Sequence, residues 1–169
     1  RHTRYISVTG VQTCALPIYL PKHMNQPYSI AFEFRWSDVD ANQHVMHSKY
    51  YEAGAHCRMS FLKEHGITME VLRAAKVGPI LFREECVFRK EMLGGEIVTV
   101  TFQLTKAKRD GSRFSALHEF IKKDGTIAAT LNVDLAWIDV IRRKLTTPPA
   151  QAMEMMDHAP KHIDFTYLD

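Results

Sequence analysis

Ile30, Phe32, Phe34 and Trp36 alternate with Ala31, Glu33 and Arg35, the two-residue period of a strand with one buried face. From about Ser48 the spacing changes. Tyr51, Ala55, Met59 and Leu62 then fall on one side of a helix, and Gly66 offers a stop. A second, shorter helix is expected over Met69–Ala75, followed by strands over Ile80–Met92, Ile97–Lys108, Arg113–Lys122 and Ile127–Val140, all containing β-branched and aromatic residues. Asp110-Gly111 and Lys123-Asp124-Gly125 signal tight turns, and Leu93-Gly94-Gly95 separates the first two of these strands, so sequential strands are expected to pair as antiparallel hairpins. One helix between a first strand and a meander of long strands predicts an α+β domain whose curved antiparallel sheet wraps around the central helix.

The middle of that helix, Ala53-Gly54-Ala55, is unusually small. An interior glycine costs roughly 0.5–1 kcal/mol relative to alanine, so either something packs closely against it or the residue is merely tolerated. Pro148-Pro149 ends the strand region. Residues 149–169 are expected to form a tail with a short helix over Gln151–Asp157, whose Met153, Met155 and Met156 offer a packing surface.

The 169 residues suit one domain, and 46% hydrophobic with 24% charged residues is the balance of a soluble globular chain. A formal charge of +3, with cations interspersed among acids, excludes the basic face that nucleic acid requires. No apolar run is long enough for a membrane span. Cys14, Cys57 and Cys86 show neither CxxC spacing nor an even count, which argues against a disulfide framework or zinc ribbon and for a reducing cytoplasm. Val8 through Ile18 reads as the translation of a common sequencing-library adapter. Residues 1–18 are therefore set aside as an assembly scar, with the authentic chain expected to start near Met24 and the domain to cover 24–148.

The densest polar chemistry lies in Ser37–Ala55, where Asp38, Asp40, Gln43, His44, His47 and Ser48 crowd the entrance to the first helix. Taken singly, an aspartate before a helix is commonly a cap or turn residue, His44 a backbone hydrogen-bonding residue, and Ser48 a helix cap. Glu52 and His56 stand one helical turn apart and are placed to interact. His44, His47 and His56 lack the spacing of a helical HExxH, so no metal is expected. Glu84 shares its strand face with Phe82, Cys86 and Phe88, where a carboxylate is usually paired. Lys106, Lys108, Arg109 and Arg113 gather around a hairpin, and Arg142-Arg143-Lys144 lie beyond the last long strand. Either group offers cations to phosphates.

The ordered pattern of an aromatic strand ending at Trp36, then Asp38-Val39-Asp40, Gln43-His44-Val45 and Tyr50-Tyr51-Glu52, with Val87-Phe88-Arg89-Lys90 and Gly94-Gly95-Glu96 further on, resembles the hotdog-fold thioesterases of the 4-hydroxybenzoyl-CoA thioesterase-like branch. The likeness spans about Tyr28 to Pro148. It departs at Gln43, where many relatives have glycine, and at Met46-His47, where they often have paired asparagines. The resemblance implies an acyl-CoA thioesterase that releases a free acid and CoA without a cofactor. It casts Asp40 as general base or nucleophile, the backbone N–H near His47 as the donor polarising the thioester carbonyl, and Gln43, His44 and Ser48 as substrate-binding residues. It further implies a homodimer or homotetramer, a cytoplasmic setting and a place in lipid metabolism. An acyl-carrier-protein thioesterase, a hydratase or dehydratase, and a non-catalytic acyl-CoA-binding module are the alternatives it leaves open.

Overall fold

The computed structural model describes residues 26–169. The proposed scar over 1–18, Cys14 and the start near Met24 lie outside the described residues. In chain order the elements are β1 (Tyr28–Glu33), a single 3-10 turn (Trp36–Asp38), α1 (His47–Glu64), α2 (Met69–Ala75), β2 (Val77–Phe88), β3 (Ile97–Lys108), β4 (Arg113–Ile121), β5 (Ile127–Asp139), β6 (Lys144–Thr146), α3 (Ala150–His158) and β7 (Lys161–Leu168). The sheet runs β1-β3-β4-β5-β2, with β6 on β5 and β7 on β3. Every pairing is antiparallel except β3–β7. This is the α+β architecture expected, a curved antiparallel sheet with α1 against its concave face, and it is the hotdog fold. No helix among the described residues is long and apolar enough to cross a membrane.

The buried stripe of α1 is Tyr50, Ala53, Gly54, Cys57, Phe61 and Leu62, which shares Leu62 with the expected stripe but leaves out Tyr51, Ala55 and Met59. Both stripes have helical spacing, so periodicity alone does not choose between them. Contact chooses: a Cβ added to Gly54 would stand 2.5 Å from Leu131 Cδ2 and 3.6 Å from His118 Cδ2, so the sheet approaches α1 where it has no side chain. Tyr50 anchors the first turn among Phe34, Phe88 and Phe120, at ring separations of 6.0, 4.9 and 5.3 Å.

Three other expectations change. Trp36 does not continue the first strand, because the Asp38 carboxylate accepts the Arg35 N–H at 2.9 Å and folds the chain into the 3-10 turn. Trp36 is left 85% exposed. Strand β2 stops at Phe88 and pairs with β5 rather than with β3. The connecting residues cannot form a tight hairpin because they are engaged elsewhere: Val45 N–H donates to Met92 O at 2.8 Å, and Phe34 and Gly95–Glu96 exchange backbone hydrogen bonds. The tail contains its helix, α3, but then returns as β7 along the half of β3 that β1 leaves open, beside Leu104–Lys108.

Glu84 is paired, as its apolar surroundings require. Its Oε1 accepts from Arg58 at 2.9 Å, and the same guanidinium lies 3.1 Å from Nε2 of the fully buried His118. Since Arg58 only donates, His118 Nε2 accepts and its Nδ1–H donates to Thr101 O at 2.7 Å.

Candidate active site at the α1 entrance

Residues 38–46 form a miniature hairpin. Val39 bridges to Val45, and Asp40 N–H donates to His44 O at 2.8 Å. Gln43 N–H closes the turn onto Asp40 O at 3.0 Å. This turn needs a left-handed residue, and Gln43 supplies it at φ 65°, a conformation that glycine adopts without strain. Residues 41–44 are exposed, and local hydrogen bonding holds the loop.

The Asp40 carboxylate takes part in that bonding. Its Oδ1 accepts the N–H groups of Asn42 at 2.8 Å and His44 at 3.2 Å. Oδ2 has no hydrogen bond among the described residues, and the residue is exposed. One oxygen thus fastens the turn, as an aspartate before a helix commonly does, and the other has no partner among the described residues.

Asp38 has a different part. Besides capping the 3-10 turn, its carboxylate lies 3.6 Å from Lys49 Nζ, and its backbone oxygen accepts Met46 N–H at 2.9 Å. It locks the hairpin to the helix entry. Lys49 in turn donates to both oxygens of Glu52 at 2.9 Å. The expected Glu52–His56 interaction is thus replaced, and His56 lies edge-on to Phe32 with centroids 5.8 Å apart.

Helix α1 begins at His47, and its N-cap is Met46, which provides no side-chain cap. Ser48 is consequently not the cap: it sits inside the first turn, one residue after His47. The N–H groups of His47 and Ser48 precede any intrahelical acceptor and have none among the described residues. They sit at the positive end of an eighteen-residue helix, where a developing negative charge is favoured.

The structure thus gathers all five sequence-derived site residues. Asp40, Gln43 and His44 belong to the hairpin, His47 and Ser48 to the helical turn that follows, and Met46 N–H joins the two through Asp38 O. Sequence reasoning missed the strap that crosses beside them, where His44 bridges to Leu93 and Val45 is bonded to Met92. Met92 is fully buried; its apolar character made it look like the end of β2. The hairpin cations are spread out: the guanidinium of Arg113 lies over Phe82 and that of Arg109 over Tyr167. Among the described residues no group of three or more His, Cys, Asp or Glu side chains is placed to hold a metal.

The family model for the Thioesterase-like superfamily matches residues 34–157, which include the whole hairpin and helix entrance. No curated protein matches the sequence. Among solved structures, a protein of Staphylococcus aureus determined in complex with CoA is 19% identical, with a TM-score of 0.72 over 82% of this chain and 89% of its own. A 1,4-dihydroxy-2-naphthoyl-CoA thioesterase from Synechocystis is 14% identical, with a TM-score of 0.71 over 78% and 96%. A gentisyl-coenzyme A thioesterase is 22% identical, with a TM-score of 0.66 over 75% and 98%. At these identities the likeness is one of fold.

Proposed function

The chain belongs to the thioesterase-like superfamily, and from that premise we propose that it is a thioester hydrolase acting on an acyl-CoA at the α1 entrance. Hydrolysis requires water to add to the thioester carbon while charge builds on the carbonyl oxygen, then expulsion of the thiolate. The open Oδ2 of Asp40 takes a proton from the attacking water, or itself attacks the carbonyl to give a mixed anhydride that water then opens. In both routes the C–S bond breaks, the acid is released and CoA leaves with its sulfur protonated. The N–H groups of His47 and Ser48 receive the oxyanion, with Gln43 and His44 positioned on the hairpin rim to hold the substrate.

One observation carries this reading: a carboxylate with one oxygen fastened and one open, on a hairpin tied to a helix N-terminus that has no side-chain cap. CoA is favoured as the carrier because it is the ligand in the Staphylococcus aureus structure. The protein acts as a homo-oligomer. The edge strand β2 displays Leu81, Phe82, Val87 and Phe88 at 44, 57, 40 and 48% exposure, and an apolar edge of that length calls for a partner.

The deciding experiment is time-resolved release of CoA thiol from short, long and aromatic acyl-CoAs by the parent and by Asp40→Asn. Asparagine keeps an oxygen for the Asn42 and His44 N–H groups, so the turn survives. A fall in kcat of at least about a hundredfold, with thermal stability retained, is the expected result. Equal turnover in the variant removes Asp40 from the mechanism, and a folded, inactive parent shifts the substrate to an acyl-carrier protein.

A further inference from the structure

The C-terminal strand creates a concavity far from the Asp40 hairpin. In the parallel ladder, Lys161 pairs with Leu104 and Thr166 with Lys106, so β7 covers more residues than the stretch of β3 it runs beside and bows away from it. Against this bow and α3 lies a cavity of about 240 Å³. It is at the opposite end of β3 from Ile97, whose neighbour Glu96 pairs with Phe34, and the run from Ile97 to Lys108 measures about 36 Å at strand rise. Strand β7 also lies beyond the residues matched by the family model. From beyond that range β7 brings Lys161, Phe165 and Tyr167 to the cavity.

Its lining combines Lys108, Arg109 and Lys161 with the rings of Phe165 and Tyr167. The two rings meet edge to face at 5.1 Å, with the Arg109 guanidinium 4.5 Å from the Tyr167 centroid and the Lys161 ammonium 5.6 Å from that of Phe165. Lys161 also donates to Asp157 O at 2.9 Å. Asp157 is the one carboxylate in the lining, and among the described residues none of the three cations forms an ion pair. Cations resting on aromatic faces keep their edge N–H groups for an anion.

The geometry points to a second binding site, for a small single-ring aromatic acid. Its carboxylate or phosphate meets Arg109, Lys108 and Lys161, and its ring packs on Phe165 and Tyr167. The volume lies below the range of about 300–1,000 Å³ usual for larger ligands, which restricts the guest to one ring and its head group.

The test is an amide NMR titration of the full chain with benzoate and phenyl phosphate, using cyclohexanecarboxylate as the non-aromatic probe. Saturable shifts at residues 108–111, 153–157 and 161–168, with 38–48 unmoved, are expected. Arg109→Gln and Lys161→Gln each weaken binding at least tenfold, and Lys161→Gln leaves CoA-thiol release unchanged. Tyr167→Leu erases the preference for benzoate over cyclohexanecarboxylate. Absence of saturation, equal binding by both charge variants, or shifts confined to 38–48 overturns the site, whatever Asp40→Asn does to hydrolysis.

Discussion

Gly54 of α1 faces Leu131 of β5 so closely that a Cβ on the glycine would lie 2.5 Å from Leu131 Cδ2. The Leu131 side chain packs directly on the helix there and is fully buried. Ala would gain roughly 1 kcal/mol of helix propensity but would force a packed leucine to shift, at about 1–3 kcal/mol. Gly54→Ala should therefore lower the thermal midpoint by a few degrees, as differential scanning calorimetry would read; a raised midpoint would mean that Leu131 moves freely.

Gln43 occupies left-handed backbone at φ 65°, which costs a residue with a Cβ about 1–2 kcal/mol. Gln43→Gly relieves this but gives the unfolded chain more freedom, so a net gain of up to about 1 kcal/mol in denaturant unfolding is expected. If the Gln43 amide also holds substrate, the same variant raises KM for acyl-CoA while becoming more stable.

Met46 is an N-cap without a capping oxygen. Met46→Asn should stabilise the protein by about 1 kcal/mol, since asparagine is a preferred cap. Ser48→Ala, inside the first turn, should change stability by less than about 0.5 kcal/mol. Thermal melts of the two variants distinguish the positions, and the opposite ranking would place the helix start two residues later.

Burial, with the neighbouring Arg58 charge second, pushes the His118 pKa from 6.5 down to about 3, against the weaker pull of its bond to Thr101. Below pH 6.5 the unfolded chain takes up a proton that the folded His118 refuses, so acidification favours unfolding. The loss approaches about 1.4 kcal/mol per pH unit and ends near pH 3. Urea unfolding of the parent should weaken between pH 7 and pH 5 more steeply than that of His118→Gln; parallel slopes would contradict a neutral buried imidazole.

The site was legible because it is local. Asp40, Gln43, His44, His47 and Ser48 lie within one short stretch of chain, and the turn that gathers them is closed by their own backbone groups, so the cluster could be read from residue types and spacing while the roles proposed for its members came from the resemblance. That an aspartate here fastens the loop was legible, but its partners were not. That Asp38 locks the loop through Arg35 and Lys49, and that Met46 rather than Ser48 stands at the N-cap position, depends on where the chain turns, and this follows from hydrogen bonds formed only in the folded geometry.

Alternation and helical spacing by themselves determined which of the expected segments are helix and which strand, and in two cases their bounds. Helix α2 and strand β3 have the bounds their patterns predict, because propensity and period act along a continuous segment. The face that α1 buries, the pairing of β2 with β5, and the return of β7 to β3 were decided only by tertiary structure. Each is a choice between surfaces of similar apolar character, or between sheet edges with identical backbone groups. Such choices are settled by what lies across the gap: Leu131 against Gly54, the 92–96 strap held by Val45 and Phe34, and the half of β3 that β1 leaves uncovered.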